Sequence, residues 1–208
     1  AGNIAYNLKL LGGFPKPMAT VGTDFAPYRK HLDAQEISRD HVTELEDCFT
    51  AQAFITTDLD DNQITAFHPG AMSQSHRNHV ADAEGIQIGI VAPDGRDAMV
   101  QHARDFAEQG IPFIFDPGQA MPLFDGDDLR DFIAKATYVT VNDYECEMVK
   151  NRTGLSETEL AASVDAFIVT KGGEGSVIYA NGEQIAIPNA KVSHIADPTG
   201  CGDAYRAG

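Results

Sequence analysis

Residues 197–208 read Asp197-Pro198-Thr199-Gly200-Cys201-Gly202-Asp203-Ala204-Tyr205-Arg206-Ala207-Gly208. A turn of small residues leads here into the first turn of a helix. The first amides of a helix have no carbonyl partner inside it, so the N–H groups of Gly200, Cys201 and Gly202 are expected to converge on one spot at the positive helix end. Asp203 projects beside that spot, within reach of a hydroxyl group. The pattern predicts an anion site with a neighbouring carboxylate; a plain tight turn with a helix-start carboxylate is the alternative.

Upstream of this stretch, apolar runs alternate with helical patterns. The runs occupy residues 86–91, 111–115, 138–141 and 166–169. Runs that are apolar on both faces, alternating with amphipathic helices, are typical of a mostly parallel sheet covered on both sides. The sequence therefore predicts an α/β fold with three layers, α/β/α.

Two β-hairpins and one strand-to-helix step complete the pattern. Residues 48–70 contain two strand-like runs around a polar turn, and residues 175–187 contain two more around Asn181-Gly182, a favoured hairpin turn pair. Near the start, residues 17–22 read as a short strand, and Thr23 or Asp24 is expected to cap the helix that follows.

Composition limits the class of protein. The chain has 208 residues, 43% of them hydrophobic, which suits one sizeable core, so we predict a single domain over residues 1–208. The net charge of −16, without a basic run, argues against binding nucleic acid or an anionic membrane surface. No apolar stretch approaches the length of a membrane span. Cys48, Cys146 and Cys201 are far apart and form no C-x-x-C motif, which favours the reducing cytoplasm.

Both ends have the pattern of cut helices. Ile4, Leu8 and Leu11 recur at helical spacing almost from the first residue, and the last residues form a helix that has only begun. Because a two-turn stub is marginal without packing, we expect both ends to be fragment boundaries, with an incomplete domain between them.

The stretch 197–208 resembles the C-terminal signature of the PfkB, or ribokinase-like, sugar and nucleoside kinases, commonly D-[TP]-T-[GA]-A-G-D-x-[FY]-x-x-G. It departs mainly at Cys201, where the family usually has alanine. Four other segments are similar to family motifs and follow in the family's order: Gly2-Asn3 matches the end of G-G-x-x-x-N, residues 21–24 match V-G-x-D, residues 142–145 match N-x-x-E, and residues 170–175 match T-x-G-x-x-G.

This resemblance implies an ATP- and Mg²⁺-dependent kinase with a ribokinase-like fold. By it, Asp203 is the base that takes the proton of the acceptor hydroxyl, and the amides of Gly200, Cys201 and Gly202 hold the transferring phosphoryl group. Asn3 is expected to bind acceptor hydroxyls.

The resemblance also implies the groups that act on the nucleotide and on cations. Asn142 acts on the phosphates, and Glu145 on Mg²⁺ through its waters. Thr170, Gly172 and Gly175 lie along ATP. Asp197 belongs to a loop that could hold a monovalent cation such as K⁺. For Asn142 and Glu145 a purely structural alternative exists, since their three-residue spacing also suits a helix capping box.

The acceptor is indicated by the hairpin at residues 48–70, which in this family is part of a lid that closes over the sugar and excludes water. The hairpin is most similar to that of bacterial adenosine kinase-like members, so we predict adenosine as acceptor. A ribokinase- or fructokinase-type sugar kinase is the alternative within the family. A non-catalytic nucleotide- or sugar-binding remnant is the alternative from another class. The protein is expected to be a monomer or a homodimer formed through the lid.

Overall fold

The computed structural model describes residues 1–59, 63–194 and 199–208. These residues form two compact units, Ala1–Asn78 with Gly200–Gly208, and His79–Thr199. The α-helices in the described part of the chain are α1 (Gly2–Leu10), α2 (Ala26–Ala34), α3 (Arg96–Gln109), α4 (Gly126–Lys135), α5 (Asp143–Thr153), α6 (Glu157–Ala162) and α7 (Cys201–Ala207). The strands are β1 (Ala19–Val21), β2 (Val42–Glu44), β3 (Gln52–Thr57), β4 (Gln63–His68), β5 (Gly89–Val91), β6 (Phe113–Phe115), β7 (Tyr138–Asn142), β8 (Ala166–Thr170), β9 (Ser176–Ala180) and β10 (Glu183–Ile187).

The first unit contains two small sheets and the helices α1, α2 and α7. β1 and β2 pair in parallel, with Ala19 opposite Val42. Their core joins Ala5 of α1, Val21 of β1 and Leu32 of α2 with Phe25 and Ile37. β3 and β4 form the predicted antiparallel hairpin, with Gln52 opposite His68. The predicted polar turn covers residues 58–62, of which residues 60–62 lie outside the described residues. We call residues 52–59 and 63–68 the lid hairpin.

One local prediction is wrong. Neither Thr23 nor Asp24 caps α2, because Phe25 occupies the N-cap position and no side chain accepts a hydrogen bond there. The Asp24 carboxylate instead accepts hydrogen bonds from the base of the lid hairpin. The Asp24 carboxylate therefore accepts from donors that are distant in the sequence and not from the first amides of α2.

The second unit is built on a six-stranded sheet in the order β10-β9-β8-β7-β6-β5. β5 to β8 are parallel, whereas β9 and β10 add to the β8 edge as an antiparallel hairpin. Asn181 and Gly182 have φ of 53° and 76°, the left-handed conformation that a two-residue type I′ turn requires. The mostly parallel sheet and this hairpin are both as the sequence predicts.

Alternation along the central strands shows where the core of this unit lies. Phe113 and Phe115 of β6 and Phe167 of β8 are fully buried, whereas Ile114 and Ile168, on the opposite face, are half-buried. The buried face packs against the predicted apolar helix faces in one cluster that includes Met99, Leu129 and Phe132. Each fully buried phenylalanine contributes about 2 kcal/mol through removal of apolar surface from water. This core fixes the strands, whose carboxyl ends carry candidate site residues.

No helix within the described residues is long and apolar enough to cross a membrane.

Candidate active site

In the first unit, the structure brings Asn3 and Asp203 together. Asn3 lies at the start of α1, Asp203 lies in the first turn of α7, and these two helices pack against each other. The side-chain amide Nδ2 of Asn3 donates a hydrogen bond to Oδ2 of Asp203 at 3.0 Å. Asp203 is half-buried and Asn3 is exposed, so the pair remains open to a small molecule.

The turn that precedes Asp203 has the geometry that the sequence suggested. Gly200 is the N-cap of α7 with φ of 81°, a left-handed conformation that favours glycine. A Cβ on Gly200 would lie 4.0 Å from Nδ2 of Asn3, which places this turn beside the Asn3–Asp203 pair. The amide of Ala204 donates to the Gly200 carbonyl at 2.9 Å and closes the first turn. The amides of Cys201, Gly202 and Asp203 therefore lie at the helix start, where a helix offers no internal acceptor.

An arginine side chain of α7 reaches the second glycine of this turn. A Cβ on Gly202 would lie 2.9 Å from Nη1 of Arg206, the arginine one turn further along α7. Cys201, which stands where the family usually has alanine, is exposed.

In the second unit, Asn142 and Glu145 form a reciprocal capping box at the start of α5. Oδ1 of Asn142 accepts from the Glu145 amide at 2.7 Å, and Oε2 of Glu145 accepts from the Asn142 amide at 2.8 Å. The structural alternative for these residues is thus realised. It uses one oxygen of each side chain, and within the described residues Nδ2 of Asn142 and Oε1 of Glu145 have no hydrogen-bond partner. Those two atoms suit a ligand that carries both an acceptor group and a hard cation.

Thr170 lies beside this pair. It ends β8 directly opposite Asn142, the last residue of β7, because the two parallel strands are in register there. Carboxyl ends of neighbouring parallel strands are the usual place for ligand-binding groups. The register therefore gathers Asn142, Glu145 and Thr170 at one edge of the sheet.

The loop between β8 and β9 is shaped by its glycines. Gly175 has φ of 92°, and a Cβ there would lie 2.1 Å from the Ile187 carbonyl oxygen, so backbone crowding requires glycine. Gly172 has φ of 52°, and within the described residues nothing lies within 4 Å of its Cβ position. Nδ2 of Asn189 holds the Gly172 carbonyl at 2.9 Å. The loop is therefore fixed at the Gly172 carbonyl and at Gly175, and among the described residues the Cβ side of Gly172 is open.

For each expected cation the sequence names one carboxylate, Glu145 for Mg²⁺ and Asp197 for a monovalent ion. Among the described residues no group of three or more His, Cys, Asp or Glu side chains could hold a metal ion. Mg²⁺ is usually held by one or two carboxylates together with substrate phosphates and water, so the open oxygen of Glu145 suits it. Asp197 lies outside the described residues, and its role in a monovalent cation loop stays a prediction.

Sequence reasoning missed a polar cluster next to α5, in which Cys146 is buried and Glu157 and Tyr179 are half-buried. Glu157 accepts a hydrogen bond from the Tyr179 hydroxyl and lies 3.7 Å from the Cys146 thiol. Burial raises the pKa of Cys146 to about 11, and burial together with the Glu157 hydrogen bond raises the pKa of Tyr179 to about 12. The three residues tie α5, α6 and β9 together. They have no recognisable spacing in the sequence, because only the fold brings them into contact.

Comparison with known proteins identifies the family. The model for the pfkB family carbohydrate kinases matches residues 1–208. The chain belongs to this family. Among curated PfkB relatives, the nucleoside kinase of Methanocaldococcus jannaschii is 32% identical over 210 residues, covering the whole chain and 69% of that protein.

Solved structures of PfkB kinases show the same fold. The Burkholderia thailandensis nucleoside kinase in complex with inosine has a TM-score of 0.96 and 53% identity, covering all of this chain and 70% of that one. Its complex with ADP and inosine has a TM-score of 0.94. The Methanocaldococcus jannaschii enzyme has a TM-score of 0.91 at 32% identity. The ribokinase-like α/β fold and the kinase family are therefore as the sequence predicted.

Proposed function

We propose that this PfkB kinase transfers the γ-phosphoryl group of ATP to the hydroxymethyl group of a purine nucleoside. The observation that carries the proposal is the hydrogen bond from Asn3 to Asp203 beside the glycine turn at the start of α7. This arrangement brings together a carboxylate, a side-chain amide that can bind a hydroxyl group, and a set of backbone N–H donors. The nucleoside kinases at 53% and 32% identity support the acceptor class.

The proposed reaction forms a bond between the acceptor oxygen and the γ-phosphorus and breaks the bond from that phosphorus to the β-phosphate oxygen, releasing ADP. The acceptor proton goes to Oδ1 of Asp203, since Oδ2 already accepts from Asn3. Backbone amides of Gly200, Cys201 and Gly202 donate to the phosphoryl oxygens. The loose transition state of phosphoryl transfer needs little covalent help, so positioned donors account for most of the catalysis.

We assign the nucleotide to the group at the sheet edge of the second unit. Nδ2 of Asn142 is a donor for phosphate oxygens, and Thr170, Gly172 and Gly175 line the path of ATP. Glu145 would hold Mg²⁺ through a water molecule. The ion, when bound, supplies positive charge against the charge that develops on the phosphates. The ADP–inosine complex of the Burkholderia relative supports an adenine nucleotide as the donor.

The lid hairpin supplies apolar surface for the nucleoside. The strand register places Phe54 and Ile64 on one face and Ile55 and Phe67 on the other, and all four are more than half exposed. We assign one face to the base or sugar of the acceptor. The opposite face supports the proposal of a homodimer formed through the lid, because it leaves apolar surface for a second copy.

Two purine nucleosides are candidates. Similarity of the lid hairpin to adenosine kinase-like members favours adenosine, whereas the relative solved with inosine favours inosine. The deciding experiment measures ADP release by the intact protein with adenosine, inosine, ribose and fructose. We expect turnover with the nucleosides, adenosine having the highest kcat/KM. A higher kcat/KM for inosine than for adenosine would make inosine the preferred acceptor and would still support a purine nucleoside kinase. Turnover with sugars alone would overturn it in favour of a sugar kinase. Binding of ADP and nucleoside without turnover would indicate the non-catalytic remnant.

A further inference from the structure

The loop after β1 holds the first strand of the lid hairpin through one carboxylate. Oδ1 of Asp24 accepts from the amide of Thr50 at 2.8 Å, and Oδ2 accepts from Nε2 of Gln52 at 3.1 Å. These hydrogen bonds, that from the Thr50 amide above all, hold the pKa of Asp24 below its usual value. Next to them, the Gly22 amide donates to the Thr50 hydroxyl at 3.0 Å. The entry to the hairpin is thus fixed by both a side chain and the backbone.

β1 itself holds the segment that follows the returning strand β4. The Thr20 hydroxyl donates to the Ala71 carbonyl at 2.6 Å, and the Ala71 amide donates to the Phe49 carbonyl at 2.8 Å. A Cβ on Gly22 would lie 2.3 Å from the Cys48 carbonyl oxygen, so the loop after β1 is in direct backbone contact with the segment that leads into β3. Both ends of the hairpin therefore meet at β1 and the loop that follows it.

Beyond this base, the hairpin projects into solvent. Every residue of β3, from Gln52 to Thr57, is exposed. A six-residue strand is about 20 Å long, so a rotation of about 15° at the base moves the tip by about 5 Å. The bonds at the base consequently control where the apolar faces of the lid hairpin lie.

We propose that Asp24 is a positioning residue that holds the lid hairpin in the orientation required for phosphoryl transfer, acting through Thr50 and Gln52. This inference rests on the proposed function. With the hairpin held, the nucleoside hydroxyl is the nucleophile. With the hairpin released, water attacks the γ-phosphorus instead: a water oxygen–phosphorus bond forms, the bond to the β-phosphate oxygen breaks, and ADP, inorganic phosphate and a proton are released.

The test compares Asp24→Ala, Asp24→Asn and the control Asp33→Ala in the intact protein. Asp33 is also exposed and pairs with Arg39 away from the hairpin. The readouts are the ADP released per nucleoside monophosphate formed and the KM values for nucleoside and ATP. For Asp24→Ala we expect the ratio to rise from about 1 to about 2 or more and the nucleoside KM to rise about tenfold, with the ATP KM changed less than about twofold.

The conservative variant separates hydrogen bonding from charge. Asparagine keeps an oxygen for the Thr50 amide, and its Nδ2 can donate to Gln52 once the glutamine amide turns over, so Asp24→Asn should restore a ratio near 1. The proposal is overturned if Asp24→Ala keeps both the ratio and the nucleoside KM of the parent. It is also overturned if Asp24→Asn is as impaired as Asp24→Ala, since a charge acting on substrate would then explain both.

A second measurement does not depend on catalysis. Hydrogen exchange of the backbone amides of residues 52–57 should be about tenfold faster in Asp24→Ala and about threefold faster in Gln52→Ala than in the parent, because each variant removes bonds at the base. Unchanged exchange in both variants would overturn the proposal even if the protein lacked kinase activity. Absence of turnover in the parent, with faster exchange in both variants, would instead count against the proposed function alone. Gln52 is exposed, so Gln52→Ala serves if Asp24→Ala fails to fold.

Discussion

Nδ2 of Asn3 donates to Oδ2 of Asp203 at 3.0 Å, although the two residues lie 200 positions apart. The bond joins the first turn of α1 to the first turn of α7. A donor on one carboxylate oxygen fixes the orientation of the group and leaves the other oxygen to accept a proton. Asn3 is therefore expected to act both on the acceptor and on the residue proposed as its base.

Replacing Asn3 with alanine removes this donor. We expect kcat/KM for the nucleoside to fall about 100-fold. KM should rise because the acceptor loses a contact, and kcat should fall because the Asp203 carboxylate loses the donor that orients it. Steady-state kinetics with varied nucleoside checks this. The matched control is Asn151→Ala, at an exposed position on α5, which should retain parental kinetics. An Asn3→Ala variant with parental kcat/KM would show that the Asn3–Asp203 bond is unrelated to catalysis.

A catalytic role of Glu145 can be distinguished from its capping role, because α6 begins with a capping box of the same kind. Oε2 of Glu159 accepts from the Ser156 amide at 2.8 Å at the start of α6, as Glu145 does at α5. Glutamine preserves a capping box, so Glu145→Gln and Glu159→Gln should each lower the free energy of unfolding by less than about 1 kcal/mol. Only Glu145→Gln should lose turnover, by about 100-fold, and require more Mg²⁺. Equal activity in both variants would reduce Glu145 to a capping residue.

Stability should fall at alkaline pH because of the cluster behind α5. The pKa of the Cys146 thiol is about 11 in the folded protein against an ordinary value of 9.0. Between these values the unfolded chain loses the proton first, so the free energy of unfolding falls as pH rises, by at most about 1.4 kcal/mol per pH unit. Tyr179 acts in the same direction from its ordinary value of 10.0 to about 12. Urea unfolding at pH 8 to 10 measures the slope, and Cys146→Ala should make it shallower. An identical slope in that variant would contradict the assignment.

The parts of the fold that could be predicted are those with a local cause. Asn181-Gly182 predicted the β9–β10 hairpin because its left-handed turn depends on these two residues alone. The apolar runs predicted β5 to β8, although β5 and β6 are shorter than their runs, because the first residues of each run are not paired with a neighbouring strand. β2 was not predicted, since Val42–Glu44 contains one apolar residue and is a strand only through its pairing with β1.

The candidate site divides in the same way. The three-residue spacing of Asn142 and Glu145 was enough to indicate the capping box as a structural alternative, because both partners lie within one helical turn. Three other contacts join segments that are distant in the sequence. They are the hydrogen bond between Asn3 and Asp203, the hydrogen bond from the Thr50 amide to Asp24, and the Cys146–Glu157–Tyr179 cluster. A sequence motif can identify such residues, but it does not predict which of their atoms come into contact, because the contacts depend on the tertiary fold.

The most direct test of the proposed mechanism is the turnover of Asp203→Asn with ATP and adenosine, measured together with the dissociation constant for the nucleoside. Asparagine has nearly the shape of aspartate but cannot take the acceptor proton. We expect kcat to fall by about 1,000-fold while the dissociation constant changes less than about threefold, as for removal of a general base. A variant that retains near-parental kcat would contradict the assignment of Asp203 as the base and with it the mechanism proposed for this site.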